Sequence, residues 1–285
     1  MKKITTFAAS FAVCMIAALT LMSAGQKQKR LFMVGDSTMA DKTELEISPE
    51  RGWGQLFPTY LAEDVIVENH AMNGRSTKSF QTEGRWDSVL VRIQRGDVVI
   101  LQFGHNDAKI SDPLRYASIE DYQKNLMHMA EQAQKKGAQV IIATPISRRS
   151  FNKETGAFVP KHGGYPDAAR RVAKAMNLPL LDLEAATAQW LTELGDEASK
   201  AYFMNVAPGE CTKFPDGKID NTHLRENGAL VVGKMAAEMI LAQKVKCLMK
   251  SIVLDRETPI YSTFCRPKMT SDKKPVESDL KTDIK

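Results

Sequence analysis

Val98-Val99-Ile100-Leu101-Gln102-Phe103-Gly104-His105-Asn106-Asp107 divides into four apolar side chains without polar alternation and a following turn rich in polar residues and glycine. A strand with one wet face alternates polar and apolar residues, so an unbroken apolar run reads as a strand covered on both faces. Four further runs have this character: Leu31-Phe32-Met33-Val34, Val65-Ile66-Val67, Gln139-Val140-Ile141-Ile142-Ala143 and Leu178-Pro179-Leu180-Leu181. Segments with helical spacing lie between them. The clearest starts at Ser118, with Asp121 as capping partner, and aligns Tyr122, Leu126, Met129, Ala130 and Ala133 on one stripe before Gly137 ends it. A second helix is expected over residues 228–249. Strands alternating with helices imply right-handed βαβ units, and so a three-layer α/β/α sandwich around a parallel sheet.

The 285 residues suffice for one large domain or two small ones, and 43% hydrophobic with 26% charged residues is an ordinary globular composition. Disorder throughout, collagen, a disulfide-dense miniprotein and a multi-span membrane protein are thereby excluded. Lys2-Lys3, the apolar residues 7–22 and Ser23-Ala24-Gly25 have the pattern of a secretory signal peptide over residues 1–25, cleaved at Ala24 or Gly25. The apolar run is shorter than the ~20 residues of a spanning helix, so no membrane attachment is expected after removal and the protein is expected to be secreted or periplasmic. The formal charge of +5 falls to +3 without Lys2 and Lys3, with no long basic run left, which argues against nucleic acid as a partner.

No linker-like composition breaks residues 31–249, so one domain is expected over residues 26–250. Residues 251–285 form a C-terminal extension, rich in Lys, Asp, Ser and Pro from Arg266 onward and expected to be partly disordered. Removing the leader leaves Cys211, Cys247 and Cys265, an odd number that permits one disulfide without saying which two would pair. None has metal-ligand spacing. A monomer is expected.

A parallel sheet gathers the carboxyl ends of its strands along one edge, where ligands bind. Past the first strand stands Gly35-Asp36-Ser37-Thr38, past the second Asn73-Gly74-Arg75-Ser76, past the third Gly104-His105-Asn106-Asp107, and ahead of the last long helix Asp220-Asn221-Thr222-His223. Acyl transfer needs a nucleophile, a base, a group that orients the base, and donors facing a developing oxyanion. Ser37 suits the nucleophile, exposed on a strand-to-helix turn. His223 suits the base, with Asp220 three residues earlier able to fold back onto its Nδ1–H; Asp36 and Asp107 are the rival orienting carboxylates. The backbone N–H groups of Ser37 and Gly74 and the Asn106 amide are the oxyanion donors. Ser76 is a rival serine, but it lacks the second glycine of a G-x-S-x-G elbow. No cofactor and no metal are implied.

These four motifs, in this order and rough spacing, resemble the SGNH (GDSL-like) hydrolase superfamily, whose four named residues fall on Ser37, Gly74, Asn106 and His223. The neighbouring text, with Gly52-Trp53-Gly54-Gln55, Thr77-Lys78-Ser79-Phe80, Glu83-Gly84-Arg85 and Gln102-Phe103, is similar to its rhamnogalacturonan acetylesterase branch. The resemblance implies a flavodoxin-like five-stranded parallel sheet of order 2-1-3-4-5, a metal-free serine mechanism, and an acetylated polysaccharide or oligosaccharide substrate from pectin. On that reading Trp53 and Trp86 offer flat faces to sugar rings, Arg75 and Arg85 offer cations to pectic carboxylates, and His105 contacts the substrate or Asp36. Packing and surface ion pairs compete for each of these five residues. The sequence also leaves open another ester specificity, acetylxylan or a lysophospholipid or thioester, and a non-catalytic carbohydrate-binding module.

Overall fold

The computed structural model describes residues 29–255; the signal peptide, Cys265 and nearly all of the C-terminal extension lie outside them. Five strands, β1 (Lys29–Gly35), β3 (Val65–Asn69), β4 (Val98–Gln102), β5 (Gln139–Ala143) and β6 (Leu180–Leu181), form an all-parallel sheet in the order β3-β1-β4-β5-β6. Counting these five alone in chain order, the sequence of strands across the sheet is second, first, third, fourth, fifth. The label β2 belongs to a two-residue strand, Glu50–Arg51, that lies in another sheet.

Successive side chains of β1 go to opposite faces, which explains why its run is apolar throughout. Leu31 and Met33 join one core with the helices Leu183–Ser199 and Glu226–Ala242. Phe32 and Val34 join another with Phe80, Trp86, and the helices Ile119–Lys135 and Tyr165–Ala175. The first of that last pair is capped as its sequence indicates: the Ser118 Oγ accepts from the Asp121 N–H, and Gly137 follows with φ +84°.

Two expectations are corrected. The last long helix is Glu226–Ala242 and does not run to residue 249. Lys244 takes a left-handed φ of 52° and the Val245 N–H reaches back to the Ile240 carbonyl, a closing pattern that needs no glycine. Second, residues 220–223 are not a loop at the edge of the main sheet. They lie in β8 (Lys218–Arg225), the middle strand of a separate antiparallel sheet β2-β8-β7, with β7 at Phe203–Val206. Cys211 and Cys247 are both free thiols.

Candidate active site

The turn after β1 is held from below. Asp36 is fully buried and its Oδ1 accepts from the Thr38 N–H and hydroxyl, at 3.0 and 2.8 Å. Its Oδ2 lies 3.0 Å from the His105 Nδ1. Burial would raise the Asp36 pKa, but His105 and the Thr38 donors outweigh it and bring it down to about 2. Burial lowers the pKa of His105 itself, against the pull of Asp36, so a neutral imidazole donating Nδ1–H to an ionised Asp36 is the stable pair.

His105 is therefore a support for the Ser37 turn and does not face a substrate: it is 3% exposed, and its Nε2 is buried without a hydrogen-bond partner among the described residues. Trp53 is corrected as well. It is fully buried and its indole N–H donates to the Gln102 Oε1, while the Gln102 amide donates to the Thr38 hydroxyl. A buried indole needs an acceptor, and here that need ties the tryptophan to the underside of the same turn. Gly52 beside it cannot carry a side chain, since a Cβ would fall 2.1 Å from the Ala40 carbonyl oxygen. Trp86 lies in the opposite core, 2% exposed, its indole donating to Gln132. Neither ring is free to stack on a sugar.

Ser37 sits on this frame, 9% exposed, and the Met39 and Ala40 N–H groups turn back to the Asp36 carbonyl. Lys42 donates to the Ser37 carbonyl and to the Asn73 Oδ1, both at 2.7 Å, and pairs with Glu50. It stitches the nucleophile turn to the Gly74 loop. No sequence signal marked Lys42, because it touches the site only through the fold.

Gly74 has φ +77°, a conformation that favours glycine. The Asn106 Nδ2 donates to the Arg75 carbonyl at 3.0 Å, which fixes the amide next to Gly74 and leaves its second hydrogen for another acceptor. Arg75 and Arg85 both donate to the Glu83 Oε2, at 3.0 and 2.6 Å. Of the two, only Arg75 lines the cleft of about 270 Å³ that opens beside Gly74.

The imidazole arrives from the small sheet. Between β7 and β8 the pairing jumps from Phe203↔Leu224 to Met204↔Asp220, which leaves Asn221, Thr222 and His223 bulged out of the ladder. Inside the bulge the Asp220 Oδ1 accepts from the N–H groups of Thr222 and His223, at 2.9 and 3.1 Å. The turn expected from the three-residue spacing thus forms within a strand. The Asp220 Oδ2 lies 2.8 Å from the His223 Nδ1, and the His223 Nε2 lies 2.9 Å from the Ser37 Oγ. Burial works to raise the Asp220 pKa. The His223 bond and charge and the two backbone donors reverse this and hold the carboxyl well below its usual range. Asp36 and Asp107 do not reach His223: Asp36 is bound to His105, and the Asp107 Oδ1 accepts from the Thr77 N–H and hydroxyl. The Ser76 hydroxyl caps the helix Thr77–Thr82 and is no nucleophile.

Two arginines just after β5 join the sheets. Arg148 donates to the Thr222 Oγ1 and to the His105 carbonyl. Arg149 donates to the Asn221 Oδ1 and the Ser199 Oγ, both at 2.9 Å, and its N–H donates to the Asn221 carbonyl at 2.8 Å. Their sequence neighbourhood carried no motif, so only proximity in space reveals them.

A hydroxyl, an imidazole and a carboxylate in one hydrogen-bonded line, at the carboxyl edge of a parallel sheet, define a serine hydrolase acting on carboxylic esters. The chain belongs to the GDSL-like lipase/acylhydrolase family, whose model matches residues 33–228. It is 40% identical over 215 residues to the rhamnogalacturonan acetylesterase RhgT of Bacillus subtilis, covering 75% of this chain and 90% of that protein. A rhamnogalacturonan acetylesterase of Emericella nidulans is 26% identical, over 81% of this chain and 91% of its own. Among solved structures, that of YxiM from Bacillus subtilis superposes with a TM-score of 0.67 at 25% identity, covering 78% of this chain and 58% of that one.

Proposed function

We propose that the protein removes acetyl groups from rhamnogalacturonan, the pectic polysaccharide, through an acetyl-enzyme on Ser37. The observation that carries the chemistry is the 2.9 Å approach of the His223 Nε2 to the Ser37 Oγ, with Asp220 behind the imidazole; the substrate is supported by the likeness to RhgT. Ser37 Oγ attacks the acetyl carbonyl carbon as its proton passes to the His223 Nε2. Asp220 keeps the Nδ1–H tautomer and stabilises the imidazolium. The oxyanion takes hydrogen bonds from the N–H groups of Ser37 and Gly74, neither of which has an acceptor among the described residues, and from the second hydrogen of the Asn106 amide. Collapse breaks the bond to the sugar oxygen, which takes the proton from His223. Water then attacks the acetyl carbon, gives a proton to His223, and releases acetate and the serine hydroxyl.

The catalytic domain is residues 26–250, secreted or periplasmic after loss of residues 1–25, and acts as a monomer without a cofactor. Among the described residues no helix is long and apolar enough to cross a membrane. Acetate release from acetylated rhamnogalacturonan, acetylated xylan and a lysophospholipid, with Ser37→Ala as control, tests the reading. We expect the pectic substrate to dominate and the variant to fall at least ~10⁴-fold. Preference for xylan or the lipid overturns the substrate; equal rates for variant and parent overturn the mechanism.

A further inference from the structure

The cleft beside Gly74 is walled by Asn73, Gly74, Arg75 and Glu83 from the region after β3, and by Leu114 and Arg115 from the loop after β4. Its two arginines differ in what they have left to offer. Arg75 uses Nε on Glu83 and Nη1 on the Asn73 carbonyl. Arg115 pairs through Nε alone, with Asp112 at 2.8 Å. Its Nη1 and Nη2 have no acceptor among the described residues.

This unused edge lies against the oxyanion loop. A Cβ on Gly74 would sit 3.5 Å from the Arg115 Nη1 and 3.8 Å from its Cζ. The Asp112 carboxylate meets the guanidinium at Nε, which leaves the paired terminal nitrogens, whose geometry matches the two oxygens of a carboxylate. Leu114 next to it is 79% exposed, an apolar surface of the kind that suits the C–H face of a sugar ring. Glu83 and Asp112 line the same cleft, each already paired with an arginine; burial and then the charges of Arg115 and Arg148 lower the pKa of Lys109, against the pull of Asp112 and Asp36.

We propose that this cleft is a subsite for the carboxylate of a uronic acid unit of the substrate chain, and that Arg115 binds that carboxylate through Nη1 and Nη2. The assignment rests on the pectic reading above. It replaces the expectation that Arg75 and Arg85 meet the pectic carboxylates: Arg75 spends Nε and Nη1 on Glu83 and the Asn73 carbonyl, and Arg85 does not line the cleft. Arg115 acts on substrate choice; the acyl transfer itself belongs to Ser37, His223 and Asp220.

The test compares acetylated rhamnogalacturonan oligosaccharides with the same oligosaccharides after reduction of their carboxylates to primary alcohols, matched in acetyl content. The readout is the ratio of kcat/KM for the two substrates in the parent protein, Arg115→Gln and Arg115→Lys. Because each ratio is taken within one protein, loss of correctly folded material cancels. A charge-assisted pair at a partly exposed site predicts a parent preference of about tenfold for the uronate form. The ratio falls to near one in Arg115→Gln and is partly kept in Arg115→Lys. A parent that hydrolyses both forms equally overturns the subsite and leaves the esterase reading intact. A preference retained by Arg115→Gln overturns the role of Arg115. A parent that releases acetate from neither form overturns the pectic reading, and the subsite with it.

Discussion

Ser37 and Asn106 stand on turns at the end of a parallel sheet that is covered by large apolar cores on both faces. Asp220 and His223 stand on a three-stranded sheet whose separate apolar cluster is Met204, Val206 and Cys211, with Phe214 packed against it. Leu224 and Phe203 reach the main core at one end of that small sheet. The bulge that carries the imidazole is instead held by polar ties: Asp220 to its own backbone, Arg148 to Thr222, and Arg149 to Asn221. The Ser37 turn rests on hydrogen bonds enclosed by burial, whereas the bulge that carries His223 rests on directional bonds with little apolar cover. The difference matters because burial tolerates small shifts, while a hydrogen bond of 2.9 Å between His223 and Ser37 does not.

Substitutions that separate these two kinds of support give graded effects. Asp220→Asn carries the largest, about 10³–10⁴-fold in kcat, because an amide cannot hold the Nδ1–H tautomer or the imidazolium charge; single-turnover acetate release measures it, and a fall below tenfold refutes the orienting role. Asn106→Ala leaves the nucleophile half folded but removes an oxyanion donor, for an expected loss of about 10²–10³-fold in kcat, read on the same ester. Arg149→Met loosens the bulge and also loses the ties to Ser199 and Asp196 at the end of the helix Leu183–Ser199. It is expected to cost about 1–3 kcal/mol in denaturant unfolding and to lower kcat several-fold more than it changes KM; an equal effect on both parameters argues against a positioning role.

The smallest effect on activity concerns a carboxyl that the chemistry does not use, and its readout is stability alone. Burial raises the Asp107 pKa to about 7 despite the two Thr77 donors, and its Oδ2 is buried without a partner. The native state therefore binds a proton that the unfolded chain releases near ~3.9. The stabilisation it brings is complete below that value and is lost as pH rises to about 7. Asp107→Asn removes this slope, so its stability relative to the parent should improve by roughly 1–4 kcal/mol between pH 4 and pH 7.5. Parallel stability curves across that window contradict the assignment.

The five apolar runs and the Ser118 cap were legible because they are local: alternate residues of a doubly covered strand must all be apolar, and a cap lies three residues from its partner. The first three motifs were legible for the related reason that a parallel sheet delivers every strand end to one edge; the fourth, Asp220 to His223, was legible through its three-residue spacing. The small sheet was not. Its pairing joins residues 50–51 to residues 224–225 and residues 203–206 to residues 218–224, contacts between distant segments without a repeating pattern.

The aromatic candidates show the same limit. Trp53 and Trp86 stand near polar motifs in the sequence, but an indole beside a turn can point outward to a ligand or inward to an acceptor. Gln102 and Gln132 decide the matter, and each is remote in the chain. Arg75, Arg85 and Arg115 carry the same charge on paper; Arg85 does not line the cleft, and of the two that do, Arg75 spends two of its nitrogens on Glu83 and Asn73.

The sequence by itself determined the parallel sheet, its edge, and the identity of the serine, histidine, aspartate and asparagine that meet there, since these follow from short-range pattern and strand direction. Only the tertiary structure decided that the histidine comes from a second sheet, that Lys42, Arg148 and Arg149 hold the two sheets in register, and which arginine lines the cleft with its terminal nitrogens unused. Those outcomes depend on distances between segments far apart in the chain, and such distances are set by packing.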